Sequence, residues 1–290
     1  MNADLFARED ITAENIPEMR LREVSRLLID SGIENGRNEA RQLFLKFGGV
    51  SASDVLFGDA VSRSPELYYA IGRRLKREPF SYIVGEVGFY REAYITTPVV
   101  LVPRQDTEHL VDYGVKNIPE GGRFLDICTG SGCVAISVLN NTKNTTARAL
   151  DISPEAIEVA KQNRENILGG EDRLTLTVAD ALTFEPEEKF DAILSNPPYI
   201  PEEVYLGLEA EIFYEPKIAF VGGGRDGGDF YRSLTSKYKH YLKDDGFIAY
   251  EIGYDQGDMI RKIADGEGFS AEVIKDYSGN DRVAVLKKNK

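Results

Sequence analysis

The spacing of apolar and polar positions changes character twice along the chain. From Pro17 onward, Leu21, Val24, Leu27 and Leu28 recur at helical spacing, and Gly32 follows as a stop. A second helix is predicted from about Asn38, with Ala40, Leu43, Phe44 and Phe47 inward and Gly48 and Gly49 at its end. A third opens at Ser64 and Pro65, a capping serine followed by proline in the first helical position. It places Leu67, Ile71 and Leu75 on one side, and Pro79 closes it. These segments predict a small helical bundle with no catalytic constellation of its own. Between Tyr82 and Pro103 the pattern turns β-rich, with Phe89 and Tyr90, then 93–95, then 99–102 as apolar runs punctuated by Gly85, Gly88 and Pro98. That reads as a hairpin linking two domains.

From Asp106 the chain alternates short apolar strands with helices. Strands are predicted at 124–127, 147–150, 174–178, 192–194, 247–252 and 283–286, and helices at 133–139, 154–166, 229–242 and 259–264. Such alternation specifies a doubly wound, mostly parallel sheet covered by helices on both faces, an α/β fold. The expected organisation is therefore a flexible N-terminal extension at 1–16, a helical domain at 17–81, a β-hairpin linker at 82–104 and a catalytic domain at 105–290.

Composition narrows the chemistry. The 290 residues are 42% hydrophobic and 29% charged, enough for a core and for solubility. No run is apolar and long enough to cross a bilayer, and the first residues lack the basic start and apolar stretch of a signal peptide. A cytoplasmic protein without membrane contact is expected. His109 and His240 stand far apart, and with only Cys128 and Cys133 the chain offers neither a usual zinc ligand set nor a Cys/His nucleophile, so no metal is expected. The two cysteines flank a glycine turn and are expected as free thiols. The net charge is −13, and the first 80 residues are nearly balanced, with 12 basic and 13 acidic side chains, so the deficit lies beyond them. A surface of that sign repels phosphate backbones. The one basic cluster, Arg73, Arg74, Lys76 and Arg77, reads first as the cation-rich last turn of a helix, with a nucleic-acid contact as the lesser reading.

Candidate chemistry gathers where the predicted strands end. The first of them carries Asp126 and runs into Cys128, Thr129, Gly130, Ser131 and Gly132 before a helix, a turn that lets a ligand approach backbone and free N–H groups. Alone this signal is weak, since a plain tight turn has the same look, and it lacks the G-x-G-x-x-G order of a dinucleotide site. The second strand ends at Asp151 and Ile152, where a carboxylate can accept ribose hydroxyls; helix capping is the rival role, although Ser153 can serve it. The third ends at Asp180 and Ala181, where an adenine amino group could be read. Acidic residues at the tips of three successive strands also suit a cationic sulfonium better than a pyrophosphate.

The fourth strand ends in Asn196, Pro197, Pro198 and Tyr199. A carboxamide nitrogen is a poor nucleophile because its lone pair is delocalised. A site that methylates it must engage both N–H groups with acceptors and aim the nitrogen at the methyl carbon. The Asn196 side-chain oxygen and the Pro197 carbonyl can be those acceptors, the prolines stiffen the loop, and Tyr199 can stack on the flat acceptor group.

At these residues the chain resembles the release-factor glutamine methyltransferases, the PrmC/HemK family. The likeness runs from about Leu21 to Leu286 and takes in Gly88-Phe89-Tyr90, 102–108, 125–132, 190–200, Tyr214-Glu215-Pro216, 223–231, Glu251-Ile252-Gly253 with Gln256, and 279–283. It implies a class I S-adenosylmethionine-dependent methyltransferase domain with a seven-stranded, mostly parallel sheet, preceded by a helical domain that docks the substrate and a β-hairpin linker. It implies S-adenosylmethionine as cofactor, held by Asp126, residues 128–132, Asp151, Ile152, Asp180, Ala181 and Asn196, with Asn196 to Tyr199 as the glutamine clamp. The implied substrate is the glutamine of the Gly-Gly-Gln motif in peptide chain release factors 1 and 2, with no direct nucleic-acid partner and a monomeric enzyme. The chain departs from the family at Cys128, usually glycine, where a small side chain fits if φ stays negative; Gln105 and Gly228 also replace a usual proline and leucine. Rival readings are glutamine methylation of a ribosomal protein, N6-adenine methylation of nucleic acid by a similar Asn-Pro-Pro-aromatic loop, and a non-catalytic scaffold.

Overall fold

The computed structural model describes residues 3, 6, 15–170 and 172–289, and they separate into two compact units. The first reaches to Gly85 and takes in Ala210–Tyr214; the second starts at Glu86 and holds the rest.

The first unit is helical: α1 (Leu21–Asp30), α2 (Gly36–Phe47), α3 (Ala52–Phe57), α4 (Pro65–Leu75) and α5 (Phe80–Val84), with a two-residue antiparallel ladder between β1 (Met19–Arg20) and β2 (Val61–Ser62). Leu21, Val24, Leu27 and Leu28 are all buried, as their period requires. Helix α4 starts as its sequence dictates: the Ser64 hydroxyl accepts the Leu67 amide at 3.2 Å, and Pro65 takes the position that needs no donor. Helices α3 and α5 escape periodicity because they span 6 and 5 residues, less than two turns. Most of the stretch 1–16 lies outside the described residues; of those within them, Phe6 and Ile16 are buried, and the Phe6 ring stacks on Tyr68 at 5.1 Å.

The basic cluster is largely neutralised inside this unit. Arg73 pairs with Glu78, Arg74 is buried between Glu39 at 2.6 Å and Glu211 at 3.1 Å, and Arg77 reaches Glu211 at 2.8 Å. Three of its four cations thus have carboxylate partners, which leaves little to offer a phosphate backbone.

The second unit opens with a hairpin, β3 (Glu86–Phe89) and β4 (Glu92–Ile95), in antiparallel register. It continues through α6 (Glu108–Asn117), β5 (Arg123–Ile127), α7 (Cys133–Asn140), β6 (Thr146–Asp151), α8 (Pro154–Leu168), β7 (Leu174–Val178), β8 (Phe190–Ser195), α9 (Glu202–Tyr205), α10 (Asp229–Tyr238), β9 (Leu242–Glu251), α11 (Gly257–Gly266), β10 (Phe269–Lys275) and β11 (Asp281–Lys288). The sheet order is β10-β11-β9-β8-β5-β6-β7, with β5 to β9 parallel and the β10 and β11 pairings antiparallel. This is the seven-stranded, mostly parallel fold that the resemblance implies.

Alternation along the strands divides the core. Phe124, Ala192, Leu194 and Phe247 pack with α6, α7 and the hairpin on one face, whereas Leu125, Ile193, Ile248 and Tyr250 pack with α10 and α11 on the other. The chain leaves β5 towards β6 and β7 on one side and returns to β8 and β9 on the other, so a switch point opens at the carboxyl ends of β5 and β8. Three local expectations change. The apolar run 99–102 is no strand; β10 is an additional strand; and α10 stops at Tyr238, because Leu242 pairs with Phe190 and begins β9.

Candidate active site

The turn after β5 is built from backbone in the left-handed region. Cys128, Gly130 and Gly132 have φ of 60°, 53° and 83°. Cys128 therefore departs from the negative φ expected of a side chain there, and holds a conformation that costs L residues about 1 kcal/mol. Gly132 is required for space as well, since a Cβ would come within 2.8 Å of Ile136 and 3.2 Å of Ala160. At Gly130 a Cβ would meet nothing within 4 Å, so its open side is free for a ligand.

Three carboxylates organise this end of the sheet, in two different ways. Asp126 is not at a strand tip as expected: it lies within β5, 1% exposed, and turns away from solvent. One of its oxygens accepts the Thr129 hydroxyl at 2.6 Å and the Ala135 amide at 3.2 Å, and the other has no partner among the described residues. Burial pushes its pKa up to about 7. Asp151, at the end of β6, accepts the Gly130 amide at 2.8 Å and the Ser153 amide at 3.0 Å, which ties the two strand ends together. Burial raises its pKa against those bonds. Capping of α8 falls to Ser153, whose hydroxyl accepts the Ala156 amide at 3.0 Å, so Asp151 keeps a free lone pair on each oxygen. Asp180 bonds the Leu182 amide at 2.8 Å.

A cavity lies over these strand ends. Of the residues singled out in the sequence, Cys128, Gly130, Asp151, Ile152, Asp180, Ala181, Asn196 and Pro198 line it; Asp126, Thr129, Ser131, Gly132, Pro197 and Tyr199 do not. Sequence reasoning missed the apolar remainder of the wall: Val99, Val100 and Leu101 on one side, Pro216, Ile218, Ala219 and Phe230 on another. Glu215 joins these segments, accepting the Val102 amide at 2.8 Å and pairing with Arg104. The motif Tyr214-Glu215-Pro216 was the available signal, but nothing local says that Glu215 turns back to Val102. The Cys128 thiol is held protonated, because burial and the nearby Asp151 and Asp126 push its pKa up.

Asn196 leaves β8 just after Ser195, whose hydroxyl donates to the Ile127 carbonyl at 2.7 Å. The Asn196 Nδ2 donates to the Thr107 hydroxyl at 3.3 Å. Tyr199, expected to stack on the acceptor, instead packs against the buried cluster around Tyr231 and Tyr250 and donates its hydroxyl to Glu251 at 3.3 Å. Its carbonyl accepts Gln256 Nε2 at 3.0 Å. Two glycines fix the loop from above: a Cβ on Gly227 would sit 2.0 Å from the Tyr199 oxygen, and one on Gly222 would sit 2.5 Å from the Pro198 oxygen. The 220–222 segment pairs with Ile200 through bonds of 2.8 Å and 3.1 Å.

Among the described residues the wall combines carboxylates and apolar surface with no lysine or arginine. That donor set fits a nucleoside bearing a cationic sulfonium and offers nothing to a phosphate. The family model described as Methyltransferase small domain matches residues 106–225. A methyltransferase from Pyrococcus furiosus aligns with a TM-score of 0.51 at 20% identity, over 68% of this chain and 89% of its own, which supports the fold. The release factor glutamine methyltransferase of Clostridium acetobutylicum is 42% identical over 221 residues, 74% of this chain and 77% of the relative. That of Caulobacter vibrioides is 35% identical over 270 residues, 90% and 93% of the two chains. Identity of this extent, spanning both the β5 turn and the Asn-Pro-Pro-Tyr loop, places the chain in the family of S-adenosylmethionine-dependent release factor glutamine methyltransferases.

Proposed function

We propose that the chain methylates the side-chain amide nitrogen of the glutamine in the Gly-Gly-Gln motif of peptide chain release factors. The observation that carries this reading is the Asn196 carboxamide: it stands on the cavity wall with its nitrogen engaged by Thr107, which leaves Oδ1 as an acceptor for the substrate. Bound S-adenosylmethionine supplies an electrophilic methyl carbon. Cys128, Gly130, Asp151, Ile152, Asp180, Ala181 and Asn196 would hold it, with Asp151 on the ribose hydroxyls and Asp180 and Ala181 at the adenine edge. Asp126, Thr129 and Gly132 would support the turn from behind, and the Ser131 carbonyl ties it to Asn163.

Asn196 Oδ1 and the Pro197 carbonyl would accept the two N–H groups of the glutamine amide and fix the direction of its nitrogen. Orientation of this kind is the main catalytic resource where no strong base is needed. Pro198 closes the cavity beside Asn196. Tyr199 anchors the loop from inside. The helical unit is assigned to docking of the release factor.

The test is mass spectrometry of a release factor incubated with the protein and S-adenosylmethionine. One added methyl on the Gly-Gly-Gln glutamine is the expected result, and its absence refutes the reading. Asn196→Ala should lower the rate by about 10²–10³-fold with the fold intact, as loss of one oriented polar partner does elsewhere.

A further inference from the structure

Glu251, the last residue of β9, lies beneath the Asn-Pro-Pro-Tyr loop, 3% exposed. Its Oε1 accepts the Tyr199 hydroxyl at 3.3 Å, and its Oε2 has no hydrogen-bond partner among the described residues. The Thr107 hydroxyl faces the same carboxyl and favours its charged form, although its approach stops short of a closed bond. Thr107 is itself 2% exposed, and its oxygen receives Asn196 Nδ2 at 3.3 Å. One carboxylate therefore bonds Tyr199 at one end of the tetrapeptide and lies beside the hydroxyl that holds Asn196 at the other.

This arrangement settles a question of polarity. A carboxamide has a donor end and an acceptor end, and clamping an amide needs the acceptor end in the cavity. A hydroxyl carries one proton. Were the Thr107 proton to point at Asn196, the carboxamide would turn its oxygen to Thr107 and present an NH2 group to the substrate, donor against donor. An ionised Glu251 can only accept, so a Thr107 proton turned towards its unpartnered Oε2 leaves the Thr107 lone pair for Asn196 Nδ2.

We propose that Glu251 and Thr107 are positioning residues that set the orientation of the Asn196 carboxamide, so that its oxygen faces the substrate amide. This inference rests on the functional reading above. A glutamine at 251 is not equivalent to the carboxylate. It has one acceptor for two donors, and when its NH2 faces Thr107 that hydroxyl must turn its proton to Asn196 and reverse the clamp. The charge on Glu251 matters for the same reason. Burial holds its pKa at about 7, and the titratable groups facing it are Arg282, which favours the charge, and Asp106, Tyr199, Tyr231 and Cys133.

The experiment is steady-state kinetics on a release factor, with wild type, Glu251→Gln, Thr107→Val and Thr107→Ser measured between pH 6 and 8.5 beside their melting temperatures. The inference predicts that Glu251→Gln and Thr107→Val lose about tenfold or more in kcat while KM for S-adenosylmethionine holds steady and melting at pH 8 does not fall. Thr107→Ser, which keeps the hydroxyl, recovers most of the rate. Wild-type kcat rises as pH passes through about 7, and the rise disappears in Glu251→Gln. Full kcat in Glu251→Gln or Thr107→Val overturns the inference, as does a loss matched by a raised KM for S-adenosylmethionine and a lowered melting temperature. A wild-type protein that methylates no glutamine fails earlier and sinks the functional reading itself, so the two failures are distinct.

Discussion

Two loops at neighbouring strand ends build this site, and they are held by opposite means. The turn after β5 takes its shape chiefly from its own residues, through the Thr129–Asp126 bond and left-handed backbone at 128, 130 and 132, with Asp151 and Asn163 bonding Gly130 and Ser131 from the next strand and helix. The loop after β8 is secured almost wholly from afar, by Thr107, Gly222, Gly227, Glu251 and Gln256, residues 23 to 89 positions away. A local turn tolerates change elsewhere in the chain, whereas a loop assembled from distant parts depends on each of them.

Each loop also stands over a buried carboxyl with a pKa near 7, Asp126 under the turn and Glu251 under the loop. Both groups ionise near 4 when unfolded, so the folded protein retains protons that the unfolded chain releases between about pH 4 and 7. Their contribution is fully present below the unfolded pKa and is lost as pH rises through 7. Stability should therefore fall over that window by up to roughly 3–4 kcal/mol per carboxyl. Urea unfolding at pH 5 and pH 8 reads this directly, and Asp126→Asn should flatten the dependence; an unchanged slope would show that Asp126 is ionised in place.

Gly227→Ala strikes the distant supports. With φ at 70° and a Cβ 2.0 Å from the Tyr199 oxygen, it should destabilise by roughly 3 kcal/mol and displace the loop. Calorimetry and the methylation rate should fall together, and a variant with wild-type values on both counts would show the loop to be self-supporting. Gln256→Ala removes donors to the Tyr199 and Asp226 carbonyls, at about 2 kcal/mol, with the loss again read by calorimetry.

At the turn the smallest effect is expected, and in the other direction. Cys128→Gly relieves a left-handed side chain and should stabilise by about 1 kcal/mol, less what glycine gains in the unfolded chain. Isothermal titration with S-adenosylmethionine should give equal or tighter binding in that variant. Weaker binding would mean that the thiol on the cavity wall contributes a contact of its own.

The contrast between the loops also explains what the sequence could disclose. Glycine spacing and the strand before it are neighbours in the chain, so the β5 turn was legible, as was the capping Ser153 two residues after Asp151; the bond from Gly130 to Asp151, 21 residues on, was not. The Asn-Pro-Pro-Tyr loop was legible as a motif, but the direction of Tyr199 was not, because Glu251 and Gln256 that hold it lie 52 and 57 residues on. Asp126 was misplaced at a strand tip because periodicity does not say where a parallel strand stops. The fold failed at similar points: residues 239–242 continue a helical pattern, yet pairing of Leu242 with Phe190 overrides it. The edge strand β10 pairs only with β11 and buries only Phe269, too little alternation to read.

The central claim is that Asn196 offers its oxygen, not its nitrogen, to a glutamine amide beside the nucleoside cavity. A crystal structure of the protein with S-adenosylhomocysteine and a Gly-Gly-Gln peptide measures it. Asn196 Oδ1 and the Pro197 oxygen should each lie about 3 Å from the glutamine nitrogen, with Asn196 Nδ2 still on Thr107. A glutamine nitrogen bound away from Asn196, or a carboxamide turned to present its NH2 group, would contradict it.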